Sequence, residues 1–247
     1  MKLIVVAGVS GAIGYALAEA CLARDEESRV IGLCREPLKV PEPLRSHSRV
    51  NLLAWDAEEE QSPQKVALAL EKVIPASRGI DTFLYAAGLL HNDDIFPEKR
   101  LEDLKAMSMA RAFAVNATGF ATLAQALLPW LRHREFKRVV AISAKVGSIE
   151  DNRLGGWYAY RSSKAALNML VRTLSVELPR RCKPIACLAL HPGTTDSGLS
   201  NPFTQSLAHL QVHSPAETAG NLLSVIEGIT PMENGCFLSW DGSVLPW

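Results

Sequence analysis

The sequence predicts an α/β fold, a single domain built on a doubly wound parallel sheet with helices on both faces. Short, nearly continuous apolar runs alternate with helix-length amphipathic segments almost to the end of the chain. Strands buried on both faces have this composition, because helices cover a parallel sheet on each side. The chain has 247 residues, 48% of them hydrophobic and 21% charged, which suits one such domain better than two.

Seven apolar runs are interpreted as the strands of this sheet. They are Leu3–Ala7, Arg29–Cys34, Arg49–Trp55, Asp81–Ala87, Arg138–Ser143, Ile185–His191 and Gly235–Trp240. Parallel neighbours need right-handed crossovers, which gives a Rossmann-type arrangement. The crossover helices are predicted where apolar residues recur at helical spacing. They are Gly11–Arg24, Pro63–Ile74, Leu104–Leu131, Tyr158–Leu178 and Pro215–Ile226.

Two segments lack a regular period. Proline-rich Arg35–Ser46 is interpreted as a surface excursion after the second strand. Residues 193–214, rich in Gly, Pro, Ser and Thr, are predicted to form a substrate or lid loop, because so long a loop in a compact domain is usually functional. Phe203, Leu207 and Leu210 are its expected lid or partner-contact residues.

Charge and cysteine usage narrow the class of partner. The chain carries 26 Lys and Arg against 26 Asp and Glu, so nothing favours a nucleic acid or an anionic membrane. Its five cysteines are scattered and have no metal-ligand spacing, which predicts reduced thiols in a cytoplasm and no metal. The apolar start is too short for a signal peptide, and we expect no apolar stretch to reach membrane-spanning length.

The first strand is followed by a glycine-spaced turn, Ala7-Gly8-Val9-Ser10-Gly11-Ala12-Ile13-Gly14. Between a strand and a helix, such a turn lets the backbone approach a pyrophosphate, whose charge then faces the helix N-terminus. Gly8, Ser10, Gly11, Ile13 and Gly14 are therefore candidate cofactor-binding residues. A plain strand-to-helix turn is the alternative.

The second strand ends at the position that selects between dinucleotides. An arginine there attracts the 2′-phosphate of NADP(H), whereas an acidic residue binds the ribose hydroxyls of NAD(H). Arg35 follows the strand, with Glu36 beside it, so NADP(H) is expected, with NAD(H) as the alternative. Arg35 as a solvated surface residue is the second interpretation. Asp56, after the third strand, is assigned either to the adenine amino group or to a cap of its own turn.

Lys164 follows Tyr160 by four positions, which places both on one helix face. A nearby ammonium stabilises a phenolate, so Lys164 should lower the pKa of Tyr160. Together with a nicotinamide held at the glycine turn, the pair predicts hydride transfer coupled to proton transfer by tyrosine. A surface lysine beside an amphipathic tyrosine is the alternative.

At these motifs the chain resembles the short-chain dehydrogenases/reductases, over essentially its whole length. Within that family it is most similar to the C-factor and sniffer-type carbonyl reductase branch. The segments that carry this likeness are Val146–Ile149, Gly155–Tyr158, Tyr160–Asn168, Trp240–Gly242 and Leu245–Trp247.

The resemblance implies roles for individual residues. Tyr160 is the general acid/base, Lys164 binds the nicotinamide ribose, and Asn116 holds a proton-relay water. The carboxamide loop is His191–Ser197, with Pro192, Gly193, Thr195 and Ser197 as contacts. The adenine pocket comprises Asp56 and Ala57, and the turn after the fourth strand comprises Ala86, Ala87 and Gly88. The long helices of this family pair, so a homodimer or homotetramer acting on a small carbonyl or alcohol is expected.

Several positions depart from the family pattern. Ala7 replaces a threonine, and the middle glycine falls one place early, at Gly11. The catalytic serine usually stands where this chain has Ala144. Ser143 is favoured over Ser148 as its substitute, and a site without a serine stays open.

A second function is consistent with the same fold. The C-factor name is attached to developmental signalling, so a weakly catalytic or non-catalytic cofactor-binding regulator is the alternative to an enzyme. The presence of Tyr160, Lys164 and Asn116 favours the enzyme.

Overall fold

The structure is a computed structural model that describes residues 2–200, 202 and 211–247. Seven strands in this part of the chain form one parallel sheet. They are β1 (Leu3–Ala7), β2 (Arg29–Cys34), β3 (Val50–Ala54), β4 (Thr82–Tyr85), β5 (Lys137–Ile142), β6 (Ile185–His191) and β9 (Phe237–Ser239). Their order in the sheet is β3-β2-β1-β4-β5-β6-β9, which confirms the predicted doubly wound α/β fold.

The helices cover both faces of the sheet. They are α1 (Ala12–Arg24), α2 (Glu42–Arg45), α3 (Ser62–Val73), α4 (Ala106–Phe113), α5 (Gly119–Leu127), α6 (Tyr158–Arg181) and α7 (Pro215–Gly228). Alternate residues of each strand point to opposite faces, so the sheet separates two apolar cores. Val5 and Phe83 pack with α3, α5 and α6, whereas Val6 and Leu84 pack with α1 and α7.

The predicted long helical stretch Leu104–Leu131 is present as Ala106–Leu131, but its helical period changes along the way. A π-helical turn at Ala114–Thr118 separates α4 from α5, and a short 3-10 helix, Leu128–Leu131, follows. The Gly119 amide donates to the Ala114 carbonyl, five residues back. The Val115 carbonyl accepts instead from the Tyr85 hydroxyl, at 2.6 Å. A tertiary hydrogen bond from β4 therefore accompanies this change of helical period.

The expectation that no apolar stretch reaches membrane-spanning length is wrong. The helical stretch Ala106–Leu131 is long and apolar enough to cross a membrane. The core helix of a folded domain can have the same length and apolar composition. This stretch buries Phe120, Leu123 and Leu127 against the sheet. Its apolar composition is explained by that packing.

The predicted lid loop begins and ends in a small parallel ladder. Strand β7 (Thr194–Thr195) pairs with β8 (Val212–His213), so the two ends of the segment lie side by side. Phe203, Leu207 and Leu210, the proposed lid residues, lie outside the described residues. The limits of β1, β2 and β6 equal the predicted ones, and those of the other four sheet strands differ by one or two residues.

Candidate active site

A cleft of about 660 Å³ lies at the carboxyl ends of β1, β2, β4, β5 and β6. The sheet order changes direction between β1 and β4, and α/β folds bind ligands at such a switch point. Most of the predicted site residues line this cleft. They are Gly8, Ser10, Gly11, Ile13, Arg35, Asp56, Ala57, Ala86, Ala87, Gly88, Ser143, Tyr160, Lys164, Pro192 and Ser197.

Close backbone contacts require glycine at two positions of this turn. Gly8 has φ +83°, and a Cβ there would lie 2.6 Å from the Ala87 nitrogen. A Cβ on Gly14 would lie 2.8 Å from the Gly8 carbonyl carbon. Gly14 therefore packs α1 onto the turn and does not line the cleft. Gly11 has φ −81° and meets only the Gly8 oxygen, at 3.4 Å.

The N-terminus of α1 fits a phosphate group. Gly11, the N-cap residue, provides no side-chain cap, and Gly11, Ala12 and Ile13 face the cleft. Uncapped amides at a helix N-terminus carry partial positive charge and bind anions. The turn thus has the space and the donors that a dinucleotide pyrophosphate needs.

Arg35 is exposed at the edge of this cleft. Its acidic neighbour Glu36 forms an ion pair with Lys39 at 2.7 Å. Within the described part of the chain no ion pair engages Arg35, so its guanidinium is available to a ligand.

Asp56 lines the cleft and also caps its own turn, because its Oδ1 accepts from the Glu58 amide at 2.9 Å.

Tyr160 and Lys164 lie one turn apart on α6, and both face the cleft, as their spacing predicts. The Lys164 ammonium is buried and donates to the Ile142 carbonyl at 2.9 Å. Its Nζ lies 5.8 Å from the centroid of the Tyr160 ring. The strand end therefore holds the lysine in place beside the tyrosine.

The electrostatics of this pair differ from the expectation. Burial raises the pKa of the Tyr160 phenol above its usual value and lowers the pKa of the Lys164 ammonium to about 8. Desolvation disfavours both charged forms and here outweighs the attraction of the lysine for a phenolate. Near neutral pH the chain alone therefore holds a protonated tyrosine, the form that a general acid needs.

Asn116 lies in the π-helical turn and is fully buried. Its amide donates to the Leu89 carbonyl at 2.8 Å and to Ser163 Oγ at 2.9 Å, and its Oδ1 accepts from the Leu89 amide at 2.7 Å. It does not line the cleft. A Cβ on Gly88 would nevertheless lie 3.7 Å from Asn116 Oδ1 and 3.8 Å from Lys164 Nζ, so both side chains adjoin the same point.

Two more predicted contacts, in the segment after β6, lie outside the cleft. The Thr195 hydroxyl is buried and shares a 2.9 Å hydrogen bond with Thr218. Gly193, with φ +75°, packs against Trp240, whose Cδ1 would be 2.9 Å from a Cβ. Both residues shape the turn, whereas Pro192 and Ser197 line the cleft.

The two serine candidates occupy different environments. Ser143 lines the cleft, and its hydroxyl donates to Asn168 Oδ1 at 2.6 Å. Ser148 lies away from the cleft, where its Oγ donates to the Trp247 carbonyl at 3.1 Å and accepts from the Asp151 amide at 3.0 Å. Of the two, Ser143 is the one within reach of a ligand.

We expect Ser143→Ala to lower kcat/KM more than Ser148→Ala does. Loss of a full oxyanion donor costs about 10²–10³ in rate. Steady-state kinetics of the two variants make the measurement. A loss below about tenfold in Ser143→Ala would mean that the Ser143 hydroxyl donates only to Asn168 and that Tyr160 works without a serine.

Sequence reasoning missed several cleft residues. Arg111 enters from α4 and forms an ion pair with Glu58 at 2.7 Å. His91 lines the cleft, and its Nε2 donates to the Gly198 carbonyl at 3.0 Å. That bond links the loop after β4 to the segment after β7. Position after a strand end was the available signal for His91, but Arg111 had none.

Residues 2–208 match the short chain dehydrogenase family. The C-signal protein of Myxococcus xanthus is 37% identical over 147 residues, which cover 60% of this chain and 83% of that protein.

Solved structures show the same fold. An NADPH-bound carbonyl reductase from chicken fatty liver superposes with a TM-score of 0.87 at 24% identity, covering 100% of this chain and 94% of that one. The carbonyl reductase Sniffer of D. melanogaster gives 0.85 at 23% identity, covering 100% and 99%. The match over residues 2–208 shows that the chain belongs to the short-chain dehydrogenase/reductase family of oxidoreductases.

Proposed function

We propose that this chain is an NADP(H)-dependent oxidoreductase that interconverts a small carbonyl compound and its alcohol, with Tyr160 as general acid/base. One observation carries the proposal. A tyrosine and a buried lysine on one helix face share a cleft with an uncapped glycine turn and an unpaired arginine. Tyr160 can transfer a proton, with the positive charge of Lys164 beside it. The glycine turn and Arg35 suit the phosphates of a dinucleotide.

The chain's own residues divide the work as follows. The bound nicotinamide cofactor supplies or accepts the hydride. Tyr160 donates its hydroxyl proton to the carbonyl oxygen in reduction and takes it back in oxidation. Lys164, held by the Ile142 carbonyl, presents positive charge beside the oxygen where negative charge develops. Asn116 braces the Leu89 backbone and adjoins Lys164 at Gly88.

Arg35→Ala is expected to remove the preference for NADP(H). The arginine is the unpaired cation at the end of β2, so its loss leaves a 2′-phosphate without a partner. A lost charge-assisted hydrogen bond costs about 1.5–3 kcal/mol, which is roughly a 10- to 100-fold rise in KM for NADPH. NADH should change little. Coenzyme titration of both proteins measures this, and equal use of NADPH and NADH by both would contradict it.

The rate is expected to fall as pH rises through about 8, the pKa of Lys164. The lysine cation is present below that pKa and lost above it, so kcat/KM for NADPH should decline with increasing pH. That parameter reports groups of the free enzyme, which makes it the appropriate readout. A profile that stays flat to about pH 10 and falls only there would show that Lys164 keeps an ordinary lysine pKa, and a profile that stays flat beyond that range would show that the lysine charge is not needed.

Turnover distinguishes the enzyme from a regulator. NADPH consumption is measured against a panel of aldehydes, ketones and quinones. Consumption with any of them supports the proposal. Tight NADPH binding without turnover on the panel favours a cofactor-binding signalling protein, an alternative suggested by the similarity to C-signal.

We also propose a cytoplasmic homodimer or homotetramer paired through the long helices. Met107 on α4 and Met169 and Val176 on α6 are exposed apolar side chains on these helices. Sedimentation at micromolar concentration tests this proposal, and a purely monomeric species would contradict it.

A further inference from the structure

A buried carboxylate lies at the first turn of α6, the turn that carries Tyr160. Glu98 is 4% exposed, and its Oε2 accepts from the Ala159 amide at 3.2 Å. Its main-chain carbonyl accepts from the Trp157 amide at 2.6 Å. Its Oε1 is buried without a hydrogen-bond partner among the described residues. One residue thus satisfies two amides at the start of the helix.

Helix α6 needs this support because it lacks a cap of its own. Its N-cap residue, Trp157, offers no side-chain cap and has φ 52°. Gly155 and Gly156 precede it at φ +65° and +63°, so three consecutive residues are left-handed. Trp157 is the sole non-glycine residue with positive φ in the described part of the chain. A bulky residue in this conformation persists only when its surroundings hold it.

The held turn determines where the tyrosine points. Tyr160 is the third residue of α6. Its ring contacts Trp157 edge to face, with ring centroids 6.2 Å apart. If the first turn frays, both rings move, and Lys164 one turn later no longer faces the phenol. Placement errors of about 1 Å cost about 10²-fold in rate.

We propose that Glu98 is a positioning residue for the reaction, acting through the N-terminus of α6 to hold Tyr160 at its working angle. The inference rests on the proposed function of Tyr160. A carboxylate suits the place because the partial positive charge of a helix N-terminus compensates its own. Glu98 does not line the cleft, so its proposed role involves no contact with a ligand there.

Two variants distinguish the effect of the Glu98 acceptor oxygen from the effect of its side-chain volume. Glu98→Met keeps the length and removes the acceptor for the Ala159 amide. Glu98→Gln keeps an acceptor oxygen. We expect Glu98→Met to lower kcat by about 10- to 100-fold with the Kd for NADPH unchanged, because the glycine turn is untouched. Glu98→Gln should restore most of the rate. Amide hydrogen exchange at residues 157–161 should accelerate in Glu98→Met only.

A cap elsewhere provides the matched control. Glu233 closes a comparable cap on the short 3-10 helix Pro231–Glu233, where its Oε2 accepts from the Thr230 amide at 2.7 Å. Glu233→Met should lower the Tm without changing kcat. An equal loss of kcat in both variants, or a wild-type kcat in Glu98→Met, overturns the proposal.

If Glu98→Met does not fold, amide hydrogen exchange in the wild-type chain tests whether the first turn of α6 is held. Slow exchange at Trp157 and Ala159 supports the proposal, and exchange as fast as in exposed loops overturns it.

Tyr160→Phe is measured alongside these variants. If it retains the wild-type rate, the proposed function fails regardless of Glu98. If it loses the rate while Glu98→Met does not, only the positioning role fails.

Discussion

Tyr160→Phe is expected to lower kcat/KM for carbonyl reduction by about 10²–10⁴, the usual worth of a general acid. The substitution removes one hydroxyl and leaves the ring, so the edge contact with Trp157 should persist. NADPH affinity should be retained, because the glycine turn and Arg35 are untouched. Initial rates of NADPH consumption and a separate binding titration measure the two effects.

The neighbouring tyrosine provides a matched control for this experiment. Tyr158 begins the same helix and does not line the cleft, so Tyr158→Phe should keep the wild-type rate. A Tyr160→Phe variant that retains more than about a tenth of the activity would exclude the phenol as the general acid. Equal losses in both variants would indicate disturbance of α6 instead.

Gly14→Ala is expected to destabilise the fold by about 3 kcal/mol or more, the upper range for an overpacked site. The new Cβ would lie 2.8 Å from the Gly8 carbonyl carbon. Backbone atoms cannot rotate away as side chains do, so α1 must shift relative to β1. Because α1 presents its first amides to the cleft, NADPH affinity should fall too. Thermal unfolding and NADPH titration report these two losses.

Gly11→Ala tests the same turn without the clash. Its backbone has φ −81°, and its Cβ would make only an ordinary 3.4 Å contact with the Gly8 oxygen. We expect stability to change by less than about 1 kcal/mol, with any loss confined to NADPH affinity. If Gly14→Ala proves as stable as Gly11→Ala, the close packing of α1 on Gly8 is not a constraint in solution.

Much of the fold was predictable because its signals are local. A strand buried on both faces must be apolar along its whole length, and all seven sheet strands were predicted to within two residues at each end. At the N-terminal side of β9, where the difference is two residues, the Gly235 amide donates to the Cys187 carbonyl before pairing with β6 begins. The break at Ala114–Thr118 was not predictable, because Tyr85, about thirty residues away, donates to its carbonyl.

The candidate site divides in the same way. The sequence by itself determined the glycine turn after β1 and the shared face of Tyr160 and Lys164, because both depend on spacing along a single strand or helix. Only the tertiary structure decided that Ser143 bonds Asn168, that Ser148 lies away from the cleft, and that Glu98 caps α6. It also decided that burial raises the pKa of Tyr160, against the expected direction, and that burial lowers the pKa of Lys164. Desolvation and long-range hydrogen bonds depend on which segments meet in space, and spacing along one chain carries no record of that.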